Sequence, residues 1–256
     1  MKRMISILTL LLLVSNFSCV TFASPELNWY CKREKDHKTP LMPPEFSFIS
    51  ELNAYSYDKL HTSYNEEEKV IYLTFDAGYE NGNVAKTLDV LKEENVTAAF
   101  FILGNLIERN TDLVLRMANE GHLVCNHTYS HKSMTSMNEE ELLSELKKLE
   151  DTYTEKTGLT MPKYYRPPEG KFSKESLETI SKAGYKTIFW SFAYADWDNN
   201  KQPSQEKALQ KLKDNLHNGE IMLLHPTSSV NAEILSEFIK FAKSEGFKFA
   251  GIDELT

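Results

Sequence analysis

The sequence predicts a parallel α/β architecture, and a barrel in preference to an open doubly wound sheet. Seven short runs rich in β-branched and aromatic residues alternate with six helical patterns from Lys69 onward, which is how βαβ units read in a sequence. Polar residues stand just beyond five of those runs, where a barrel mouth gathers its chemistry. No glycine-rich phosphate turn follows the first run, because Asp76-Ala77-Gly78-Tyr79-Glu80-Asn81-Gly82 lacks the dinucleotide pattern.

The chain opens on an address. Lys2 and Arg3 precede an apolar run from Met4 to Val14, and Thr21-Phe22-Ala23 offers small residues at a cleavage site. The run falls short of the roughly 20 residues that span a bilayer as a helix. Residues 1–23 therefore read as a signal peptide of an exported protein, with an uncleaved anchor reaching to about Phe22 as the alternative. Asn16 stands where lipid attachment at Cys19 would need an aliphatic residue. No integral membrane span is expected after cleavage.

Residues 24–68 are irregular, interrupted by Pro40, Pro43 and Pro44 and closed by the charge run Asn65-Glu66-Glu67-Glu68-Lys69. Trp29, Tyr30, Phe46, Phe48, Tyr55 and Tyr57 imply an extension that packs on the following domain, 69–254. There the expected strands are Val70–Phe75, Ala98–Leu103, His122–Asn126, Tyr164–Arg166, Lys186–Ser191, Ile221–Leu224 and Phe247–Ile252. Val84, Leu88 and Leu91 make one helical face between them; Leu113, Val114 and Met117 make a second. Leu142, Leu146, Leu149 and Tyr153 make a third, opened by a capping box of Asn138 and Glu141. Further helices fit Ser173–Ala183, Ser204–His217 and Asn231–Ser244. No shorter repeat marks a solenoid.

The net charge is −8, and removing Lys2 and Arg3 with the signal leaves about −10. Such a surface argues against nucleic acid as a partner. Of three cysteines, Cys31 and Cys125 survive cleavage, so no disulfide framework holds the fold, although one bridge between them is conceivable. Cys125 reads as a buried small residue rather than a metal ligand beside His127.

Six residues carry the chemical signal. His127 and His131 are four apart and can face one cation if the segment is helical or tightly turned. The zinc-protease pattern does not apply, since Thr128 stands where it needs Glu. Asp76 alone could cap a turn, Arg166 and Asp196 could form a structural ion pair, and His225 could be a turn histidine. Their joint occurrence at five strand ends is what those readings explain poorly.

In order, Thr74-Phe75-Asp76-Ala77-Gly78, His127-Thr-Tyr-Ser-His131, Arg166-Pro167-Pro168-Glu169-Gly170, Asp196-Trp197 and Leu223-Leu224-His225 resemble the five motifs of the NodB-like polysaccharide deacetylases, carbohydrate esterase family 4. The resemblance runs from about Lys69 to Asp253. The extended first motif, continuing Tyr79-Glu80-Asn81-Gly82, and the upstream Lys35-Asp36-His37-Lys38-Thr39-Pro40 are similar to the delta-lactam-biosynthetic muramic acid de-N-acetylases of spore formers. The resemblance implies a distorted (β/α)7 barrel, with Asp76 as general base and His225 as general acid. It also implies that His127 and His131 hold a divalent metal ion, zinc by expectation, and that Arg166, paired with Asp196, orients Asp76. The backbone N–H of Glu169 would donate to the oxyanion, and Trp197 and Leu223 would wall the acetyl pocket. Amide hydrolysis independently needs both an acid and an activated nucleophile.

Two positions depart from the family pattern. Ala77 replaces a metal-ligating Asp, as is common in the muramic branch, which predicts weaker metal binding. Glu169 stands where most members carry Tyr. The expected function is removal of acetate from N-acetylmuramic acid in peptidoglycan glycan strands, towards muramic delta-lactam in spore cortex. The alternatives are an N-acetylglucosamine deacetylase on peptidoglycan or a chitin-like glycan and, from another class, a non-catalytic glycan-binding pseudoenzyme.

Overall fold

Strand alternation at residues 69–77 sets the layers of this molecule, seen in a computed structural model that describes residues 25–63 and 66–255. The expected signal peptide, residues 1–23, lies outside the described residues. Two short strands, β1 (Leu27–Asn28) and β2 (Ala54–Tyr55), precede β3 (Lys69–Ala77). Then come α1 (Asn83–Glu93), β4 (Ala99–Ile102), α2 (Gly104–Arg109), α3 (Thr111–Asn119), β5 (Leu123–Asn126) and α4 (Glu139–Thr157). The chain continues through β6 (Tyr164–Tyr165), β7 (Lys171–Phe172), α5 (Lys174–Lys182), β8 (Lys186–Ile188) and β9 (Phe192–Ala193). It ends with α6 (Gln205–Asn215), β10 (Glu220–Leu224), α7 (Ser229–Ser244) and β11 (Phe247–Phe249).

The main sheet is parallel, in the order β2-β8-β6-β5-β4-β3-β10-β9, with β11 alongside the start of β3. β8 and β9 lie towards opposite ends of that order yet are separated by three residues, so the sheet curls on itself. The expected strand Lys186–Ser191 is therefore split. Phe189 N–H donates to Tyr55 at one end of the sheet and Ser191 N–H to Ile221 at the other. The curled sheet with its helices is the α/β barrel the sequence predicts.

Successive β3 side chains point to opposite faces. Ile71, Leu73 and Phe75 pack outward with Leu88, Val114 and Phe238 of the helical layer, and Ala77, at the strand's end, borders both that cluster and the cavity. Val70 and Tyr72 face the interior with Phe101, Cys125, Ile188 and Ile221. Thr74 and Asp76 continue the inward parity, which delivers a carboxylate to the C-terminal mouth.

Helix starts follow their caps. Asn138 and Glu141 form the expected capping box of α4, and Ser173 and Ser228 cap α5 and α7. Residues before β3 pack on the sheet through aromatic side chains. Trp29 stacks on Phe189 at 4.5 Å, Phe46 and Ile49 are buried, and β2 pairs with β8. Two residues of strand are too short to leave a periodic signal, so β2 was invisible in the sequence.

Two details refine the sequence reading and one short helix adds to it. Cys31 and Cys125 are free thiols; Cys31 donates to the Ser191 carbonyl at 3.0 Å while Cys125 lies in the apolar interior. The last strand stops at Phe249, and a turn at Ile252–Glu254 puts Ile252 into the interior. Helix α2 starts at Gly104, where an added Cβ would sit 2.4 Å from the Tyr129 ring.

Candidate active site

The ends of β3, β5, β6 and β10 and their loops enclose a cavity of about 710 Å³. Asp76, His127, His131, Glu169, Trp197, Leu223 and His225 all line it. Arg166 and Asp196, fully buried, stand behind it. All nine residues singled out in the sequence thus belong to one site.

Their pairing differs from the expectation in one respect. Arg166 and Asp196 do not pair. Arg166 Nη1 donates to Asp76 Oδ1 at 2.9 Å, and Nη2 donates to Thr74 Oγ1 at 2.9 Å and to the Phe189 carbonyl at 3.1 Å. Its Nε donates to the Ile188 carbonyl at 2.9 Å, and the guanidinium lies 4.1 Å over the Phe101 ring. Four of its five N–H groups thus have acceptors, and Asp76 is the one carboxylate among them. Asp196 instead accepts from His225, Nδ1 to Oδ1 at 2.7 Å and backbone N–H to Oδ2 at 2.8 Å. The site therefore holds two separate charge pairs across one cavity.

Electrostatics keep the pairs distinct. Burial alone would raise the Asp76 carboxyl, but neighbouring His127, Arg166 and His225 hold it below its usual value. Burial pushes His127 down to about 4, so at neutral pH it is uncharged. His131 is lowered as well, chiefly by burial. His225 moves the other way: burial pulls it down, yet the hydrogen bond and charge of Asp196, with Asp76 adding, leave it raised.

The His127–His131 segment is a tight turn rather than a helix. Thr128 and His131 sit at φ 67° and 60°, left-handed backbone that costs on the order of 1–3 kcal/mol at each residue. Asn126 Oδ1 accepts from Thr128 N–H and Thr128 Oγ1 from His131 N–H, both at 2.9 Å, and these bonds hold the turn. Glu169 is left-handed too, at φ 58°, and its carboxylate pairs with Lys171 at 2.6 Å on the cavity rim. Following it, Gly170 (φ +67°) could not be replaced, since a Cβ there would meet Trp190 at 2.7 Å.

The donor chemistry suits a cation. His127 Nδ1 lies 2.8 Å from the Arg166 carbonyl, which only accepts, so Nδ1 carries the proton and Nε2 keeps its lone pair. That lone pair faces Asp76 Oδ2 at 3.5 Å, and the His131 ring centroid is 5.0 Å from that of His127. Two imidazoles suit a divalent ion, and the Asp76 carboxylate nearby favours its positive charge. They fall short of a closed cage: Ala77 adds no donor, and among the described residues no ready-made group of three or more His, Cys, Asp or Glu ligands occurs.

Sequence reasoning missed several supporting residues. Thr74, hidden in an apolar run, accepts from Arg166 and donates to the Met222 carbonyl at 2.7 Å. Asn231 donates to Asp196 Oδ2 at 2.6 Å, and Tyr194 O–H donates to Asn231 Oδ1. The side-chain amides of Asn81, Asn83 and Asn199 converge on the Thr227 carbonyl at 2.9, 3.0 and 2.9 Å, tying the loop after Asp76 and the loop after Trp197 to the one after His225. The only signal for these was polar residues close to motif positions.

Fold and site together define a barrel hydrolase with an arginine-held carboxylate and an aspartate-held imidazole across a shared cavity. A polysaccharide deacetylase family model matches residues 63–188. The chain is 37% identical over 257 residues to the peptidoglycan-N-acetylmuramic acid deacetylase PdaA of Bacillus subtilis, covering 100% of this chain and 96% of that protein. The structure of B. subtilis PdaA, a family 4 carbohydrate esterase, superposes with a TM-score of 0.84 at 37% identity, over 90% of this chain and 96% of that one. A peptidoglycan-N-acetylglucosamine deacetylase of Bacillus cereus is 33% identical over 198 residues, 75% of this chain and 69% of that protein. The chain belongs to the polysaccharide deacetylase family, the family 4 carbohydrate esterases. It is a hydrolase of carbon–nitrogen bonds other than peptide bonds, in a family that is generally metal-dependent.

Proposed function

We propose that this protein removes acetate from N-acetylmuramic acid in peptidoglycan glycan strands outside the cytoplasm, as a step towards muramic delta-lactam in spore cortex. In this reading residues 1–23 export the chain, 24–68 form a packed extension and 69–254 the catalytic domain. The observation that carries it is the separation of charges: Asp76 held by Arg166, and His225 held by Asp196. Similarity to PdaA across the full chain supports muramic acid over glucosamine. Among the described residues no helix is long and apolar enough to cross a membrane.

The geometry supports the following roles. Asp76, ionised because Arg166 favours its charged form, takes the proton of the attacking water. A divalent ion at His127 and His131, zinc in this reading, would supply Lewis acidity that polarises the acetamide carbonyl and eases loss of that proton. The Glu169 N–H donates to the oxyanion as the carbonyl becomes tetrahedral. His225, protonated through Asp196, gives its Nε2 proton to the departing amine, without which the C–N bond would not break. Trp197, whose ring lies 5.9 Å from that of His225, and Leu223 wall the acetyl group.

The test gives purified protein peptide-free glycan strands and follows acetate and sugar masses, with chelator and with added zinc. The expected result is deacetylated muramic acid, lost with chelator and restored by zinc. Deacetylation confined to glucosamine would transfer the assignment to that sugar. No product with any divalent ion would leave a glycan-binding role.

A further inference from the structure

Behind His225 lies a hydrogen-bonded chain that no motif residue accounts for. Asn231, 2% exposed at the start of α7, directs its Nδ2 at Asp196 Oδ2 (2.6 Å) and also approaches the His225 carbonyl at 3.4 Å. The amide orientation follows from its neighbours: Asp196 Oδ2 accepts from Asn231 Nδ2, while Tyr194 O–H donates to Asn231 Oδ1. Asn231 is itself fixed, because its backbone N–H donates to the capping Ser228 Oγ at 3.2 Å. At the far end, Tyr194 lines the substrate cavity.

We propose that Asn231, supported by Tyr194, is a positioning residue that locks the Asp196 carboxylate against His225, and so aims the imidazole Nε2 at the cavity. The carboxylate could otherwise rotate about its last bond. With Asn231 and the His225 backbone N–H both donating to Oδ2, Oδ1 is left for Nδ1 of the ring alone. The ring then has one tautomer and one orientation. Partners behind a catalytic or ligating histidine act in this way, and their loss costs on the order of tenfold or more. Tyr194 makes the same lock part of the cavity wall, so the acid and its pocket are set together. This inference rests on His225 being the acid of the proposed reaction.

The experiment compares wild type with Asn231→Leu, Asn231→Asp and Tyr194→Phe by steady-state kinetics on glycan strands. The low-field Nδ1 proton of His225 is read by NMR in the same four proteins. Asn231→Leu and Asn231→Asp, the latter equal in shape but lacking the N–H, are expected to lower kcat on the order of tenfold with KM within about twofold. Tyr194→Phe should lose less, about threefold. In each variant the Nδ1 resonance should broaden or shift, and Tyr194→Phe keeps the test available if an Asn231 variant does not fold. An unchanged kcat with an unchanged resonance, or a loss expressed in KM alone, would overturn the proposal. The resonance is read without turnover, so inactive wild-type protein would count against the proposed function while the positioning role was still being tested.

Discussion

Strand β10 has a histidine beyond each end, one buried and one opening on the cavity, and the two are held in opposite states. Before it, His217 is pushed by burial down to about 4 and stays neutral. Its Nδ1 donates to the Asn215 carbonyl at 2.7 Å and its Nε2 accepts from Ser191 at 2.8 Å. The nearby carboxyl of Glu220, 3.7 Å away, is pushed towards its neutral form, because burial raises it well above the usual range; one of its oxygens has no hydrogen-bond partner. After the strand, His225 is partly exposed to the cavity; desolvation still pulls it down, but Asp196 at 2.7 Å leaves it raised. A carboxyl group beside a histidine is therefore not enough to make an acid. Asp196 receives two N–H groups besides the ring, whereas Glu220 receives one, from His217 N–H at 3.3 Å.

The largest effects should appear where that difference is removed at the open end. His225→Gln is expected to lower kcat on the order of 10³-fold, while His217→Gln at the closed end should stay within about threefold. Equal losses would erase the distinction between the two ends. Asp76→Asn should match His225→Gln in kcat yet leave metal content near wild type, as measured by mass spectrometry of the purified protein. An active variant would remove Asp76 from its role as base.

Next in size is the pH dependence of kcat/KM. The proposed mechanism needs Asp76 ionised and His225 protonated, so the profile should be a bell. Asp76 is lowered, and His127 and His131 must be unprotonated to hold an ion, so the acid limb is set by the histidines and lies below the ordinary histidine value of about 6.5. His225 is raised, which places the alkaline limb above the ordinary histidine value of about 6.5. An alkaline limb below that value would contradict the Asp196 pairing.

Ala77→Asp should tighten divalent-ion binding about tenfold by calorimetry, since position 77 lines the cavity and at present adds no donor. Unchanged affinity would mean that its side chain serves only the outer apolar cluster that holds Phe75. The smallest effect belongs to Glu220→Gln. A carboxyl raised in the folded state binds more protons there than in the unfolded chain, so it costs stability increasingly as pH rises above about 4.3. The variant should be unchanged near pH 4 and melt about 2–4 °C higher at pH 8. An equal shift at both pH values would tie the effect to packing.

The barrel was legible because β3 and β10 alternate or run apolar over lengths that leave a clear pattern, and because Asn138 and Glu141 announce α4. The gathering of Asp76, His127, His131, Arg166 and His225 was legible from their strand-end positions. The pairing was not. Arg166 and Asp196 follow neighbouring runs, but the chain between them crosses from β8 to β9, towards opposite ends of the curled sheet. Arg166 is left beside β3 and Asp196 beside β10. Short elements such as β2, and lone polar residues such as Thr74 and Asn231, carry no periodicity and acquire meaning only through neighbours distant in sequence.

The division between a neutral and a charged histidine can be read directly by NMR titration of labelled protein. His225 is predicted to titrate above about 6.5 and His217 to stay neutral down to about 4. Both titrating together near the ordinary value, or His217 taking the higher one, would contradict the assignment of His225 as the acid.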